Sequence, residues 1–190
     1  MIKFIKKNPA IPQRWIVLTA LAYSLTAAQA QTPQAEKAFI KELPAVVVAS
    51  HRRVVRGYDE LFDLCPNVIG PEMARLGCEC PEPGYCFTID HTCEFRERDI
   101  DIEYCEAVTE RKEDSELVEF KELKAVPTAV CMYHRGNYDT LPQTFAELYA
   151  YVEKAGYKLA GSPRFSYIDG IWNKDSEEEW LTEIQIPAGR

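Results

Sequence analysis

Two glutamates on predicted strands are the residues of this sequence best placed to do chemistry. Glu183 lies at the centre of the run Trp180–Pro187, and a shift of eighty positions places it on Glu103. Because side chains alternate between the faces of a strand, Glu183 points away from Thr182 and Ile184. A glutamate on a strand is most often solvated. A buried one beside aromatic rings is instead an anionic site for a cationic ligand, because its charge lacks water.

Cysteines form the second group of residues with chemical potential. There are seven, and five of them lie between positions 78 and 105: Cys65, Cys78, Cys80, Cys86, Cys93, Cys105 and Cys131. No C-x₂-C pair occurs with a matching second pair, so we predict no metal site and no other cofactor. In an oxidising compartment some of these thiols would be paired, whereas in the cytoplasm they would serve as small buried apolar residues. His51 and His134 have no identifiable catalytic partner and are interpreted as structural.

The shift that relates the two glutamates extends over much of the chain. Between residues 41 and 61 it produces nine identities with residues 121–141, at Lys41, Glu42, Leu43, Ala45, Val46, Ala49, Tyr58, Asp59 and Leu61. Unrelated sequence would give roughly one or two over that length. We interpret the shift as an internal duplication, in which two equivalent units meet about a pseudo-twofold axis and leave a cleft between them.

Each unit is predicted to be β-α-β-β. In the first, the β-branched run 45–49 predicts a strand. A helical pattern begins at Tyr58 and is interrupted at Pro66 and Pro71. Two strands follow, over 85–91 and 100–108.

The second unit has clearer helix signals. A strand within 117–134, kinked near Pro127, precedes a helix for which Thr140 is the predicted N-cap and Gln143 closes a capping box. Gly156 ends this helix. Its apolar face is formed by Phe145, Leu148, Tyr149 and Val152, and strands are predicted over 164–169 and 180–186. The expected fold is α+β, an antiparallel sheet with helices on one side.

The charge distribution argues against nucleic-acid binding. The net charge is −8, and residues 1–30 carry four basic residues and no acid, so the remainder carries −12. Such a body repels phosphate backbones, and we expect no direct contact with nucleic acid. A small molecule or a basic protein surface suits it better.

The N-terminus has the order of a secretory signal peptide. Residues 1–14 are basic, 15–28 are apolar and uncharged, and Ala28-Gln29-Ala30 follows. We predict a signal peptide over 1–30, a linker over 31–37 and a single domain over 38–188, exported to the periplasm or secreted. The apolar stretch is short for a permanent membrane span, so no stable span is expected after processing. The alternative is a cytoplasmic protein with a non-native N-terminal extension.

Several motifs resemble one known family. They are Lys41–Pro44, His134–Tyr138, Gly156-Tyr157, Gly161–Pro163, Tyr167 and Thr182–Pro187. Together they resemble the GyrI-like small-molecule-binding domain, which serves as the effector-binding domain of many AraC- and MerR-type transcription regulators. The resemblance implies a ligand cleft between two halves, with Glu183 facing it. It also implies aromatic walls at Tyr167, Tyr133 and Phe87. Since no helix-turn-helix precedes the domain, it is expected to act as a stand-alone member.

Three functions are consistent with this resemblance. The first is binding of a hydrophobic ligand, cationic or neutral, against Glu183, without turnover. The second is hydrolysis of electrophilic, cyclopropane-type toxins, with Glu183 as general base and Tyr167 as proton donor. The third is inhibition of DNA gyrase through a protein interaction. Binding is the first choice, and under it the domain has no catalytic residues.

Overall fold

The computed structural model describes residues 37–57, 60–92 and 98–190. The predicted signal peptide, the predicted linker except Lys37, the predicted helix start at Tyr58 and the thiol of Cys93 lie outside these ranges. The strands are β1 (Phe39–Leu43), β2 (Val46–Val55), β3 (Cys86–Asp90), β4 (Ile100–Ala107), β5 (Glu119–Leu123), β6 (Val126–Arg135), β7 (Lys158–Leu159), β8 (Arg164–Asp169) and β9 (Leu181–Gly189).

Helical residues fall into two regions. The first contains α1 (Glu60–Leu64), a π-helical turn (Cys65–Ile69) and α2 (Gly70–Arg75), so the predicted interruptions at Pro66 and Pro71 mark changes of helix type. The second is α3 (Leu141–Lys154), which a 3₁₀ turn (Tyr138–Thr140) precedes. A second 3₁₀ turn (Glu177–Glu179) lies in the acidic loop before β9.

All strand pairs are antiparallel, in the order β1-β6-β9-β8-β3-β4-β2-β5, with β7 paired to β9. Strands that lie about eighty residues apart occupy mirrored places in this order. Thus β1 mirrors β5, β2 mirrors β6, β4 mirrors β9 and β3 mirrors β8. The two central strands, β3 and β8, join the halves.

The three α-helices of the described ranges pack on one side of the sheet, which we call the helix face. α3 covers one apolar cluster, which contains Phe145, Leu148, Phe165 and Ile184. The α1–α2 region covers a second cluster, which contains Leu64, Ile69, Met73 and Phe120. The predicted α+β fold with helices on one side of an antiparallel sheet is therefore confirmed.

The opposite side carries no helix among the described residues, and we call it the inner face. The Tyr85 hydroxyl donates a hydrogen bond to Oε1 of Gln185 at 3.1 Å, across the intervening strand β8. Residues 44–45, only two residues, also connect β1 at one end of the strand order to β2 near the other. Both observations require the sheet to curl toward the inner face.

Two details of the predicted units were wrong. Each half has an additional strand, β1 or β5, and the predicted strand over 117–134 is in fact β5 and β6, separated at residues 124–125. The reason is that the opening strands are exchanged: β1 pairs with β6, and β5 pairs with β2. Each therefore finds its hydrogen-bonding partner in the other half.

The predicted capping box at the start of α3 is also wrong. Thr140 is the N-cap residue of α3, as predicted, but it also ends the 3₁₀ turn, with φ −99° and ψ −4°, and its side chain makes no capping hydrogen bond. Its hydroxyl donates back to the Asn137 carbonyl at 3.4 Å, because a helical backbone turns the side chain away from the following amides. The predicted apolar face and the stop at Gly156, with φ +76°, are confirmed.

Candidate functional site

Glu183 is a buried carboxylate on the inner face. Its residue is 3% exposed, and its neighbours across the sheet are Tyr133 on β6 and Ser166 on β8. Thr182 and Ile184, on either side of it in the chain, point toward the helix face, where Ile184 packs into the α3 core. Burial of the apolar side of β9 against α3 therefore fixes the orientation of Glu183.

Lys41 compensates the charge of Glu183. The ammonium group forms an ion pair with Oε1, and Nε2 of Gln185 donates to the same oxygen at 2.8 Å. Burial acts to lower the pKa of Lys41, but the hydrogen bond and charge of Glu183 outweigh it, and the pKa is raised. A cleft glutamate without a charge partner is the expectation from the sequence. The chain instead pairs Glu183 with Lys41.

The equivalent pair in the other half is Lys121 and Glu103. Lys121 pairs with Oε1 of Glu103, and Nε2 of His91 lies 2.9 Å from Oε2. Burial acts to raise the pKa of Glu103, but Lys121 and His91 outweigh it and the pKa is lowered. The two lysines and the two glutamates are each eighty residues apart, so the two halves place the same charges in the same positions.

Three of the four predicted ligand-binding residues share the inner face. Tyr133 pairs directly with Glu183 between β6 and β9, and its ring lies 5.1 Å from that of Phe39. Phe87 also points to this face but is fully buried in a small apolar cluster with Ile89 and Cys105. Glu183 and Tyr133 form a contiguous group, and Phe87 lies further along the face under other side chains.

Tyr167 lies on the helix face instead. Its hydroxyl lies 2.9 Å from Oγ1 of Thr88, and its ring packs edge-on to Tyr138 at 6.0 Å. The sheet therefore separates Tyr167 from Glu183. The pairing of a Glu183 base with a Tyr167 proton donor, on which the hydrolase hypothesis depends, is not brought together in this structure.

Sequence reasoning missed three polar residues of the inner face: Lys41, Tyr85 and Arg164. The Arg164 guanidinium, on a residue 8% exposed, stacks over the Phe87 ring at 5.5 Å. Burial raises the pKa of Tyr85, which lies between Arg164 and Gln185. A signal for Lys41 was present in the sequence, because it repeats as Lys121 at the same shift that relates the glutamates.

An apolar cavity of about 430 Å³ lies where the two halves meet. It is bounded by the turn between β1 and β2 and the turn between β5 and β6, through Glu42, Leu43, Pro44, Ala125, Val126 and Pro127. Leu43 and Val126 belong to one apolar cluster with Cys131. The pKa of that thiol is raised to about 12, by burial first and by the charge of Glu183 next. Glu183 does not line the cavity. It pairs with Tyr133 on β6, six residues along that strand from Pro127, so the cavity and the Lys41–Glu183 pair are separate features.

The helix face holds a half-buried acid, Glu106. The Tyr104 hydroxyl donates to Oε2 of Glu106 at 2.8 Å and lies 3.2 Å from Sγ of Cys65. Burial raises the pKa of Glu106, and the hydrogen bond from Tyr104 only partly offsets that effect. Tyr104, Glu106 and Cys65 contact one another, so we do not consider this group a candidate ligand site.

The six described cysteines, Cys65, Cys78, Cys80, Cys86, Cys105 and Cys131, are all free thiols, so the pairing expected for an oxidising compartment is not formed among them. Within the described ranges, no group of three or more His, Cys, Asp or Glu side chains is arranged to hold a metal ion. None of the described helices has the length and apolar character needed to cross a membrane.

Two of the histidines have structural contacts. The ring of His134 lies between the Thr144 hydroxyl at 2.9 Å and the Asn137 carbonyl at 2.8 Å, and burial lowers its pKa. Nδ1 of His51 donates to the Leu117 carbonyl at 2.6 Å. Both fit the structural role predicted for them.

Fold and site together define an α+β effector-type domain: a curled antiparallel sheet with a buried carboxylate on its inner face. Residues 37–188 match the model of the GyrI-like small molecule binding domain, and the chain belongs to this family. It is a small-molecule-binding domain. No curated protein sequence matches the chain.

Solved structures agree with this assignment. The C-terminal domain of EcmrR is 40% identical with a TM-score of 0.78, over 82% of this chain and 98% of that one. The chain spans only 57% of EcmrR in its complex with DNA, with 40% identity and a TM-score of 0.77. SAV2435 bound to tetraphenylphosphonium is 14% identical with a TM-score of 0.53, over 80% of this chain and 94% of that one. A hydrolase from Listeria innocua is likewise 14% identical, with a TM-score of 0.54, over 82% and 93%. These last two show a shared fold alone.

Proposed function

We propose that this domain binds a hydrophobic cation on the inner face of its curled sheet, with the charge at Glu183 and the apolar part against the adjacent rings of Tyr133 and Phe39. The observation that carries the proposal is a carboxylate buried on the inner face beside aromatic rings. A desolvated carboxylate attracts a cation that has a weak hydration shell more strongly than an exposed one does.

The test is calorimetric titration with tetraphenylphosphonium, the cation found on a protein of the same fold. Glu183→Gln keeps the shape and removes the charge, so affinity should fall by about 1–3 kcal/mol. Glu103→Gln is the matched control, since it makes the same change in the equivalent strand, and it should leave affinity unchanged. Equal affinity in wild type and Glu183→Gln would remove Glu183 from the site.

The two halves are also proposed to descend from one duplicated unit. Supporting observations are the mirrored strand order and the repetition of the Lys41–Glu183 pair as Lys121–Glu103. In a crystal structure, superposition of residues 39–107 on 119–187 should bring these lysines and glutamates into register. A superposition that aligns the strands only at another shift would contradict the duplication.

A further inference from the structure

The ion pair at Glu183 places a lysine where the proposed cationic ligand would bind. Lys41 contacts Oε1 of Glu183, and Gln185 donates to that same oxygen. The side chain of Lys41 is 38% exposed and that of Glu183 is 5% exposed, so the lysine lies toward solvent and the carboxylate lies beneath it. A ligand that approaches the carboxylate from solvent therefore meets the ammonium group of Lys41 first.

We propose that Lys41 is a specificity-determining residue of this site, a tethered cation that a charged ligand must displace from Glu183. The inference rests on the proposed function and adds a mechanism of selection to it. A neutral hydrophobic ligand packs against the rings of Tyr133 and Phe39 and leaves the ion pair in place, whereas a cationic ligand competes with Lys41 for the carboxylate.

The Lys41 side chain is suited to leave the Glu183 carboxylate. A lysine carries a strongly hydrated charge on a flexible stem, and the partial exposure of Lys41 gives its ammonium group a route into water. Arg164 contrasts with it on the same face, because its guanidinium is buried over Phe87 and has no such route. Glu183 keeps the hydrogen bond from Gln185 when Lys41 leaves.

The equivalent lysine in the other half is held differently. Glu103 is contacted on both oxygens, by Lys121 at Oε1 and by His91 at Oε2, and Lys121 also lies 3.7 Å from Glu119. Displacement of Lys121 would leave His91 on the carboxylate and would break a second ion pair. The Lys41–Glu183 pair is therefore exchangeable, whereas further contacts hold the Lys121–Glu103 pair in place. Lys121 is thus a matched control.

Competition by Lys41 has a measurable consequence. The apparent dissociation constant of a ligand equals its intrinsic value divided by the fraction of protein in the binding-competent state. If the pair is closed in about nine molecules of ten, removal of Lys41 strengthens binding of a cation about tenfold. It leaves the affinity for a neutral compound of similar shape unchanged.

The experiment compares tetraphenylphosphonium with neutral triphenylphosphine oxide by calorimetry. Lys41→Met should bind the cation about tenfold more tightly than wild type and the neutral compound within about twofold. Lys41→Arg retains the charge and should show no such gain. Lys121→Met should bind both compounds as wild type does. The inference is overturned if Lys41→Met binds the cation no more tightly, or if Lys121→Met gains as much.

A second measurement uses the unmodified protein, in case Lys41→Met does not fold. Amine acetylation followed by mass spectrometry should show faster labelling of Lys41 when tetraphenylphosphonium is saturating, with the rate at Lys121 unchanged. Unchanged or slower labelling of Lys41 would contradict displacement. The results distinguish the two proposals. If the affinity for tetraphenylphosphonium does not depend on Glu183, the proposed function is wrong. If that affinity depends on Glu183 but not on Lys41, only this inference is wrong.

Discussion

Glu183 and Glu103 hold the same position in the two halves, yet their contacts differ. Glu103→Gln removes the partner of both Lys121 and His91, and we expect it to lower the free energy of unfolding by about 1–3 kcal/mol. Glu183→Gln releases Lys41, which is already partly exposed, and should cost less than about 1 kcal/mol. Urea unfolding of both variants measures the difference. A larger loss for Glu183→Gln would contradict the assignment of Lys41 as the exchangeable partner.

Glu106 gives a prediction about pH. Its pKa is raised in the folded protein, so any stability linked to its protonation is present below the unfolded pKa and is lost as pH rises through the folded one. In the variant Glu106→Gln, the amide oxygen would still accept the Tyr104 hydrogen bond without the cost of a partly desolvated charge. The stability of this variant relative to wild type should therefore increase as the pH is raised from about 4 to about 8. Thermal melts of both proteins at the two pH values test this, and a difference that does not change with pH would refute it.

Part of the site could be predicted from sequence at the level of single residues. Alternation along β9 correctly separates Glu183 from Thr182 and Ile184. The same alternation places Tyr167 beside Phe165, on the face that packs against α3, so its separation from Glu183 depends on register between β8 and β9. Register is a property of strand pairing, which one sequence does not reveal. The repeat of Lys41 as Lys121 is present in the sequence, but its contact with Glu183 is not, since β1 meets β9 only through β6.

At the scale of elements, α3 is the main support of the sheet beneath Glu183. Leu148 is fully buried between α3 and the sheet, whereas Glu147 beside it faces solvent. Leu148→Ala should lower the free energy of unfolding by about 2–5 kcal/mol, because it leaves a cavity in the core. Glu147→Ala should stay within about 0.5 kcal/mol of wild type. Chemical denaturation checks both, and similar small losses would mean that α3 contributes little to the core.

The helix patterns predicted elements better than the strand patterns did. Apolar spacing at Phe145, Leu148 and Val152 depends on neighbours one turn apart, so the sequence contains the whole signal. β1 and β5 are five residues each and form only because each pairs with a strand of the other half. Their existence is a tertiary effect, and neither strand is apparent from the sequence of one unit on its own.

At the scale of the whole molecule, the order of charge and hydropathy over residues 1–30 leads us to propose export. Mass spectrometry of the protein from its native host should show a chain that begins at or near Gln31. An intact soluble chain that begins at Met1 would contradict it. The same sample reports on the cysteines, because disulfides persist in an oxidising compartment and free thiols in a reducing one.

The acidic body and the site lead to one central claim, that a hydrophobic cation binds at Glu183 on the inner face. The crystal structure of the complex with tetraphenylphosphonium tests it most directly. We expect phenyl rings against Tyr133 and Phe39, the phosphonium centre beside the Glu183 carboxylate, and Lys41 turned into solvent. Tetraphenylphosphonium bound on the helix face beside Tyr167, with the Lys41–Glu183 pair intact, would contradict the claim.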